Sequence, residues 1–191
     1  MYAFFRIFAH VNSEEIISYA VETLLRGGII LYPTDTIWGI GCDARNTEAI
    51  EHLYAIKERD RSKSMLVLVE GEKVESGGRP TTYILPRHVW HNEMGLHIAD
   101  NLAADDGTLG VRVPIHSFCQ EVIRRLGAPL VSTSANLSGH PSPKTYGEIE
   151  EELKRRVDYC VPPLAEFESH EIRGSRIVKI NADGSETIIR P

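Results

Sequence analysis

Cysteine is scarce and unpaired in this sequence. Cys42, Cys119 and Cys160 stand far apart with no CxxC pair, and an odd number excludes a closed disulfide framework, so a reducing compartment, the cytoplasm, is the expectation. Long apolar runs are missing too: nothing approaches the ~20 consecutive apolar residues that span a bilayer. Positive charge is in the minority, with 21 Lys and Arg against 27 Asp and Glu and a net charge of −6. That excludes a chain that coats nucleic acid by bulk charge and leaves room only for a local basic cleft. The start, MYAFFRIFAHVNSEE, has neither a basic opening nor a small-residue cleavage site, so an edge strand is expected there and not a signal peptide. The common chemical signatures are absent: no GxxxxGKS/T phosphate loop, no GxGxxG, no GxSxG elbow and no HExxH. His88, His91 and His97 lie in HVWHNEMGLH without cysteine or carboxylate partners at ligand spacing. They read as solvated or hydrogen-bonding side chains, and no protein-held metal is expected.

What is present is an alternation of helix and strand signals within 191 residues, a length that buries a substantial core and favours one domain, here 1–191. SEEIISYAVETLLRGG places Ile16, Ile17, Ala20, Val21, Leu24 and Leu25 on one helical face. Ser13 is the expected N-cap, Glu14 and Glu15 suit the first turn, and Gly27 is the stop. IILY follows as a strand. NTEAIEHLYAIKER gives a second helix, capped by Asn46 or Thr47, with Ile50, Leu53 and Ile56 inward. It runs into MLVLV, an unbroken apolar strand expected to be buried on both faces. TTYIL, LGVRV and PLVSTS read as further strands. HSFCQEVIRRLG is a helix with a capping box from Ser117 to Gln120 and a stop at Gly127, and KTYGEIEEELKRRV is a helix with a box from Thr145 to Glu148. RIVKINADGSETIIRP closes as a hairpin around Asp183 and Gly184, and GEKVESGGRP (71–80) is a short polar loop. The interleaving predicts an α/β or α+β fold around a mixed sheet flanked by helices.

Four polar clusters fall at the ends of these apolar elements, where α/β sheets tend to bind ligands. In IILYPTDTIWGIGCDA, Thr34, Asp35 and Thr36 form either a self-satisfied turn, with Asp35 as its anchor, or a ligand site that Gly39 and Gly41 open to close approach. In KERDRSK, Lys57, Arg59, Arg61 and Lys63 either offset the dipole at a helix C-terminus or hold a triphosphate. Arg112 interrupts the apolar strand of GTLGVRVP. A buried guanidinium must meet an internal carboxylate or a ligand's. In STSANLSGHPSPKT, the run Ser132, Thr133, Ser134, Asn136, Ser138 and Ser142 is longer than helix capping needs and suits a nucleotide.

Taken in order, PTDTIWGIG, the KER segment before a buried strand, RPTTYIL, DGTLGVRVP and STSANLSG with SPKT resemble the YrdC/Sua5 family of threonylcarbamoyl-AMP synthases, from about Gly27 to the closing IIRP. The resemblance implies a twisted mixed sheet with a concave ligand cleft. It implies a nucleotidyltransferase that joins L-threonine, bicarbonate and ATP into threonylcarbamoyl-adenylate and pyrophosphate, with Mg2+ accompanying ATP and downstream proteins moving the group to a tRNA adenosine. By the same resemblance, Lys57 and Arg59 are the catalytic cations. Lys57, Arg59, Lys63, Thr108, Ser134, Asn136, Ser142 and Arg190 form the ATP site, and Thr34, Thr36, Arg112, Ser132 and Ser175 surround threonine, with Arg112 on its carboxylate. Some residues depart from the family pattern. Trp38 stands where a tyrosine is usual, RSKS lacks the proline after lysine, Arg176 replaces a small residue beside Ser175, and the 71–80 segment is shorter by a helix. Two other readings are an RNA-binding paralogue without this activity and a carbamoyl-adenylate-forming domain.

Overall fold

The computed structural model describes residues 12–61, 63–71, 79–164, 167 and 173–191. The expected N-terminal edge strand (1–11) and most of the polar loop at 71–80 lie outside them. In chain order the elements are α1 (Ser13–Leu25), β1 (Ile30–Tyr32), β2 (Gly39–Gly41), α2 (Thr47–Ile56), β3 (Leu66–Leu68), β4 (Thr81–Leu85), β5 (Leu109–Arg112), α3 (Ser117–Leu126), β6 (Leu130–Ser134), α4 (Glu151–Arg156), β7 (Tyr159–Cys160), β8 (Arg176–Ile180) and β9 (Glu186–Arg190). The strands join in one mixed sheet, ordered β7-β1-β2-β6-β3-β5-β4-β8-β9. The β1–β7, β3–β5 and β4–β8 pairs are parallel and the rest antiparallel.

The helices follow their apolar faces, and three of their predicted starts move. α1 buries Ile16, Ile17, Ala20, Val21 and Leu24, while Leu25 points out at 61% exposure. Its cap is Asn12 and not Ser13: Asn12 Oδ1 accepts from the Glu15 amide and Glu15 Oε2 accepts from the Asn12 amide, a reciprocal box one residue earlier than expected. Asn46 caps α2 as expected. On α3 the expected Ser117–Gln120 box is absent. His116 Nδ1 accepts from the Phe118 amide at 3.2 Å, and the Gln120 amide group instead donates back to Pro114 O at 3.0 Å. Gly127 ends this helix at φ 62°, the left-handed conformation that glycine adopts without strain. The Thr145–Glu148 box is replaced by a single 3-10 turn, Tyr146–Glu148. There the Glu148 carboxylate accepts from the Lys144 amide, and α4 begins later, at Glu151.

Strand pleating decides which face is core. Val67 stands between Val111 and Val131 in the ladder, and all three are buried in the main apolar cluster. One residue along, the row Ser132–Leu66–Gly110–Ile84 projects from the opposite face. Leu66 is only half-buried there, so the MLVLV strand is not covered on both faces as its composition predicted. The uncovered face is where the polar residues gather.

Candidate functional site

A cleft of about 360 Å³ opens on this face, within the range of small-molecule sites. Leu66, Gly110 and Ile84 form its floor, and a Cβ at Gly110 would press within 3.0 Å of Leu66 Cβ. The four polar clusters do meet, on the face of the central strands and not only beyond their ends. Among the described residues the cleft is lined by three arginines, Arg59, Arg112 and Arg190, and by no carboxylate, histidine or lysine.

The Thr-Asp-Thr turn proves to be turn and site wall at once. Thr34 Oγ1 accepts from the Thr36 amide at 3.0 Å and donates to Ile37 O at 2.7 Å. Its one proton is thereby used, so at their 3.0 Å contact the Thr36 hydroxyl must donate to Thr34. Thr36 Oγ1 in turn accepts from Arg112 Nη1 at 3.1 Å, which leaves it one lone pair for a ligand. Arg112 has an internal counter-ion as well: its Nη2 lies 3.6 Å from Asp35 Oδ1, with the two side chains 4% and 3% exposed. Asp35 accepts no hydrogen bond among the described residues. The turn is anchored by Thr34, therefore, and the expectation that Asp35 anchors it is corrected: the carboxylate sits behind Arg112 as a charge partner. Gly41 also has a different reason from the one expected. A Cβ there would lie 1.7 Å from Val131 O, so its missing side chain admits the neighbouring strand and not a ligand. Gly39 does line the cleft.

Ser132, Thr133 and Ser134 project from β6 on one side, and Thr82, Ser175 and Arg190 close the other. The Thr82 and Ser175 hydroxyls are 2.7 Å apart. Arg190 Nε donates to Ser175 O at 2.7 Å and Nη2 reaches Ser175 Oγ at 3.4 Å. Its guanidinium lies on Gly174, where a Cβ would come within 3.0 Å of Nη2. Burial, and then the charges of Arg79 and Arg112, push its pKa down. Arg59 enters from beyond α2 with Nε on Lys63 O and Nη2 on Ser64 O, so Nη1 is the donor it offers a ligand. Thr108 and Ser142 also line the cleft, although the Thr108 proton goes to Asp106 Oδ1 at 2.6 Å.

Three expected site residues stand elsewhere. Lys63 is exposed outside the lining. Asn136 is buried, its amide donating to Leu137 O and His140 O. Lys57, 1% exposed, does not reach the cleft: its ammonium donates to Ser134 O and Asn136 O. Thr133, part of the hydroxyl run expected to suit a nucleotide, lines the cleft, as do Thr82 and Trp38, which were not singled out as ligand contacts. Thr82 was detectable as the hydroxyl that shares a strand face with Ile84, whereas Trp38 gave no signal beyond its size. The Trp38 ring packs 4.9 Å from Tyr146, over which Lys154 Nζ sits at 4.4 Å. No group of three or more metal-ligating side chains occurs among the described residues. His91 and His97 meet edge to face, 6.3 Å apart. Cys42, Cys119 and Cys160 are free thiols, and no helix among the described residues is long and apolar enough to cross a membrane.

A Sua5/YciO/YrdC family model, described as "Telomere recombination", matches residues 22–191. Threonylcarbamoyl-AMP synthase of Xanthomonas campestris pv. campestris is 34% identical over 151 residues, covering 73% of this chain and 81% of the relative. The Stenotrophomonas maltophilia enzyme of the same name is 31% identical over 158 residues, covering 76% and 84%. Among solved structures, P. abyssi Sua5 complexed with L-threonine superposes with a TM-score of 0.75 at 18% identity, over 95% of this chain and 55% of that one. E. coli YciO gives 0.70 at 22% identity, over 94% and 90%. This chain thus spans about half of the P. abyssi protein, and at these identities the superpositions show the fold.

Proposed function

The chain is a member of the Sua5/YciO/YrdC family, and from that premise we propose that it makes threonylcarbamoyl-AMP from L-threonine, bicarbonate and ATP, releasing pyrophosphate, as a nucleotidyltransferase supplying tRNA modification. The observation that carries this reading is the joined set Arg112–Thr36, Ser132 and Ser175 in one cleft whose described lining holds no carboxylate. A small amino acid presents a carboxylate, an amine and a hydroxyl. Arg112 offers the carboxylate a charge-assisted donor, while Thr36 keeps a lone pair and Ser132 and Ser175 supply hydroxyls. ATP lies across Arg59, Ser134, Ser142 and Arg190, whose guanidinium groups suit phosphate oxygens.

The amine of threonine takes up bicarbonate carbon with loss of water to give a carbamate. A carbamate oxygen then attacks the α-phosphorus, and the bond to the β,γ-pyrophosphate breaks. Negative charge accumulates on phosphate oxygens, where Arg59 and Arg190 stabilise it. Among the described residues the lining has no side chain suited to be a general base, so the contribution of these residues is positioning and preorganised charge. The described lining, which holds no carboxylate, does not fit a protein-held Mg2+; the ion belongs to the substrate MgATP. Proteins that transfer the threonylcarbamoyl group are the expected recipients, RNA contact is a further expectation, and the free thiols fit a cytoplasmic setting.

Pyrophosphate release from ATP tests this, with and without threonine and bicarbonate. The reading predicts release that requires both, with serine supporting less. Release independent of threonine, or a salt-sensitive RNA affinity with no release at all, contradicts it.

A further inference from the structure

Lys57 is the most buried cation of the described chain, and it lies outside the cleft lining. It follows the last residue of α2 as the C-cap, with its amide on Leu53 O. Its ammonium passes behind the cleft wall and donates to Ser134 O and Asn136 O. Its own carbonyl accepts from the Ser138 amide at 2.9 Å. One residue therefore ties the end of α2 to both sides of the loop that leaves β6. The loop is otherwise held by Ala135 N on Trp38 O and by the Asn136 amide group on Leu137 O and His140 O. On the helix side the next residue, Glu58, takes φ 50°, an uncommon conformation for a side-chain-bearing residue. Arg156 holds that turn through Ile56 O and the Glu58 carboxylate. The turn is followed by Arg59, which lines the cleft together with Ser134 and Ser142.

We infer that Lys57 is a positioning residue: by bonding the carbonyls of Ser134 and Asn136 it sets the β6 loop against Arg59, and so fixes the spacing of the two walls that receive a nucleotide. The nucleotide part of this inference rests on the function proposed above; the tie itself does not. A lysine suits the task because its stem spans the gap as apolar surface, while its N–H donors can serve two backbone carbonyls at once, one at the end of β6 and one in the loop that follows. Burial and the charge of Arg59 push its pKa down to about 7. The neutral amine still carries enough N–H groups for both carbonyls, so the tie survives deprotonation.

The test uses the full-length protein and its Lys57→Met and Arg59→Met variants. Hydrogen exchange without ligand reads the tie directly. In Lys57→Met the amides of Asn136 and Ser138 are expected to exchange at least tenfold faster than in wild type, with the interior of α2 unchanged, and in Arg59→Met they stay as protected as in wild type. Calorimetry with ATP and with AMP reads the consequence. Lys57→Met is expected to weaken both by the same factor, within about twofold, whereas Arg59→Met weakens ATP at least tenfold more than AMP. Unchanged loop protection in Lys57→Met overturns the inference, as does a loss of ATP affinity tenfold greater than the loss of AMP affinity. Wild-type protein that binds neither nucleotide would overturn the nucleotide reading, while the exchange rates would still decide the tie.

Discussion

Removing Arg112 should damage stability and substrate recognition by two separable routes. Its guanidinium is 4% exposed and lies 3.6 Å from a carboxylate that is 3% exposed and has no hydrogen bond among the described residues. Arg112→Met therefore leaves Asp35 buried without its cation, a change that costs about 3–5 kcal/mol. For a chain of this length that corresponds to a fall in Tm of roughly 6–20 °C, at about 2–4 °C per kcal/mol. The double variant Asp35→Asn/Arg112→Met has no buried charge to leave unpaired and should recover most of the loss. Substrate recognition should not recover with it. The charge-assisted bond proposed between Arg112 and the threonine carboxylate would contribute about 1.5–3 kcal/mol, so both variants should need roughly 10- to 150-fold more threonine for the same rate. Thermal melts and initial rates of pyrophosphate release at varied threonine give the two readouts. A double variant with wild-type threonine dependence would refute the assignment of Arg112 to the carboxylate, and an Arg112→Met protein that melts like wild type would refute the ion pair.

Three further outcomes follow from the same geometry. Thr36→Val deletes the acceptor of Arg112 Nη1 and the donor to Thr34. It should cost about 1–3 kcal/mol of stability and raise the threonine requirement tenfold or more, an assignment that an unchanged threonine KM would remove. Gly41→Ala places a methyl group 1.7 Å from Val131 O and should destabilise by about 3 kcal/mol or more; a denaturant midpoint like wild type's would contradict so close an approach of β2 to β6. For Lys57 the sign is set by a folded-state pKa of about 7 below an unfolded value of about 10.4. The unfolded chain then holds more protons above pH 7, so wild-type stability should gain roughly 2–5 kcal/mol relative to Lys57→Met as pH rises from about 7 toward 10.5. Parallel denaturation curves for the two proteins across that range would show that Lys57 keeps its ordinary pKa.

The element boundaries were legible wherever one physical signal dominated: the 3.6-residue period of α1 and α2, the β-runs of β3 to β6, and the turn at Asp183–Gly184. They failed where two chemistries compete for one role. Asn12 and Ser13 are both good caps, and only the reciprocal reach of Glu15 decides between them. Gln120 is drawn to Pro114 O by a loop whose path no local pattern reveals. In the cleft, Thr36, Arg112 and Ser132 were legible because polar groups at the edge of apolar runs must find partners, whereas Ser175 came only from the family resemblance. Lys57 was misplaced for the same reason it was noticed. A lysine in a basic run reads as surface charge, and nothing local shows that the carbonyls of Ser134 and Asn136, 77 and 79 residues away, fold onto its ammonium. The partnership of Asp35 with Arg112 was likewise one of two open possibilities until the strands brought them together.

The central claim is the identity of the product. It is tested most directly by mass spectrometry of the full-length protein incubated with MgATP, carbon-13-labelled bicarbonate and an equimolar mixture of amino acids. The account predicts one dominant new adenylate, carrying a single labelled carbon and the mass of threonine, together with an equal amount of pyrophosphate. An adenylate without the label, one built on another amino acid, or ATP left intact would contradict it.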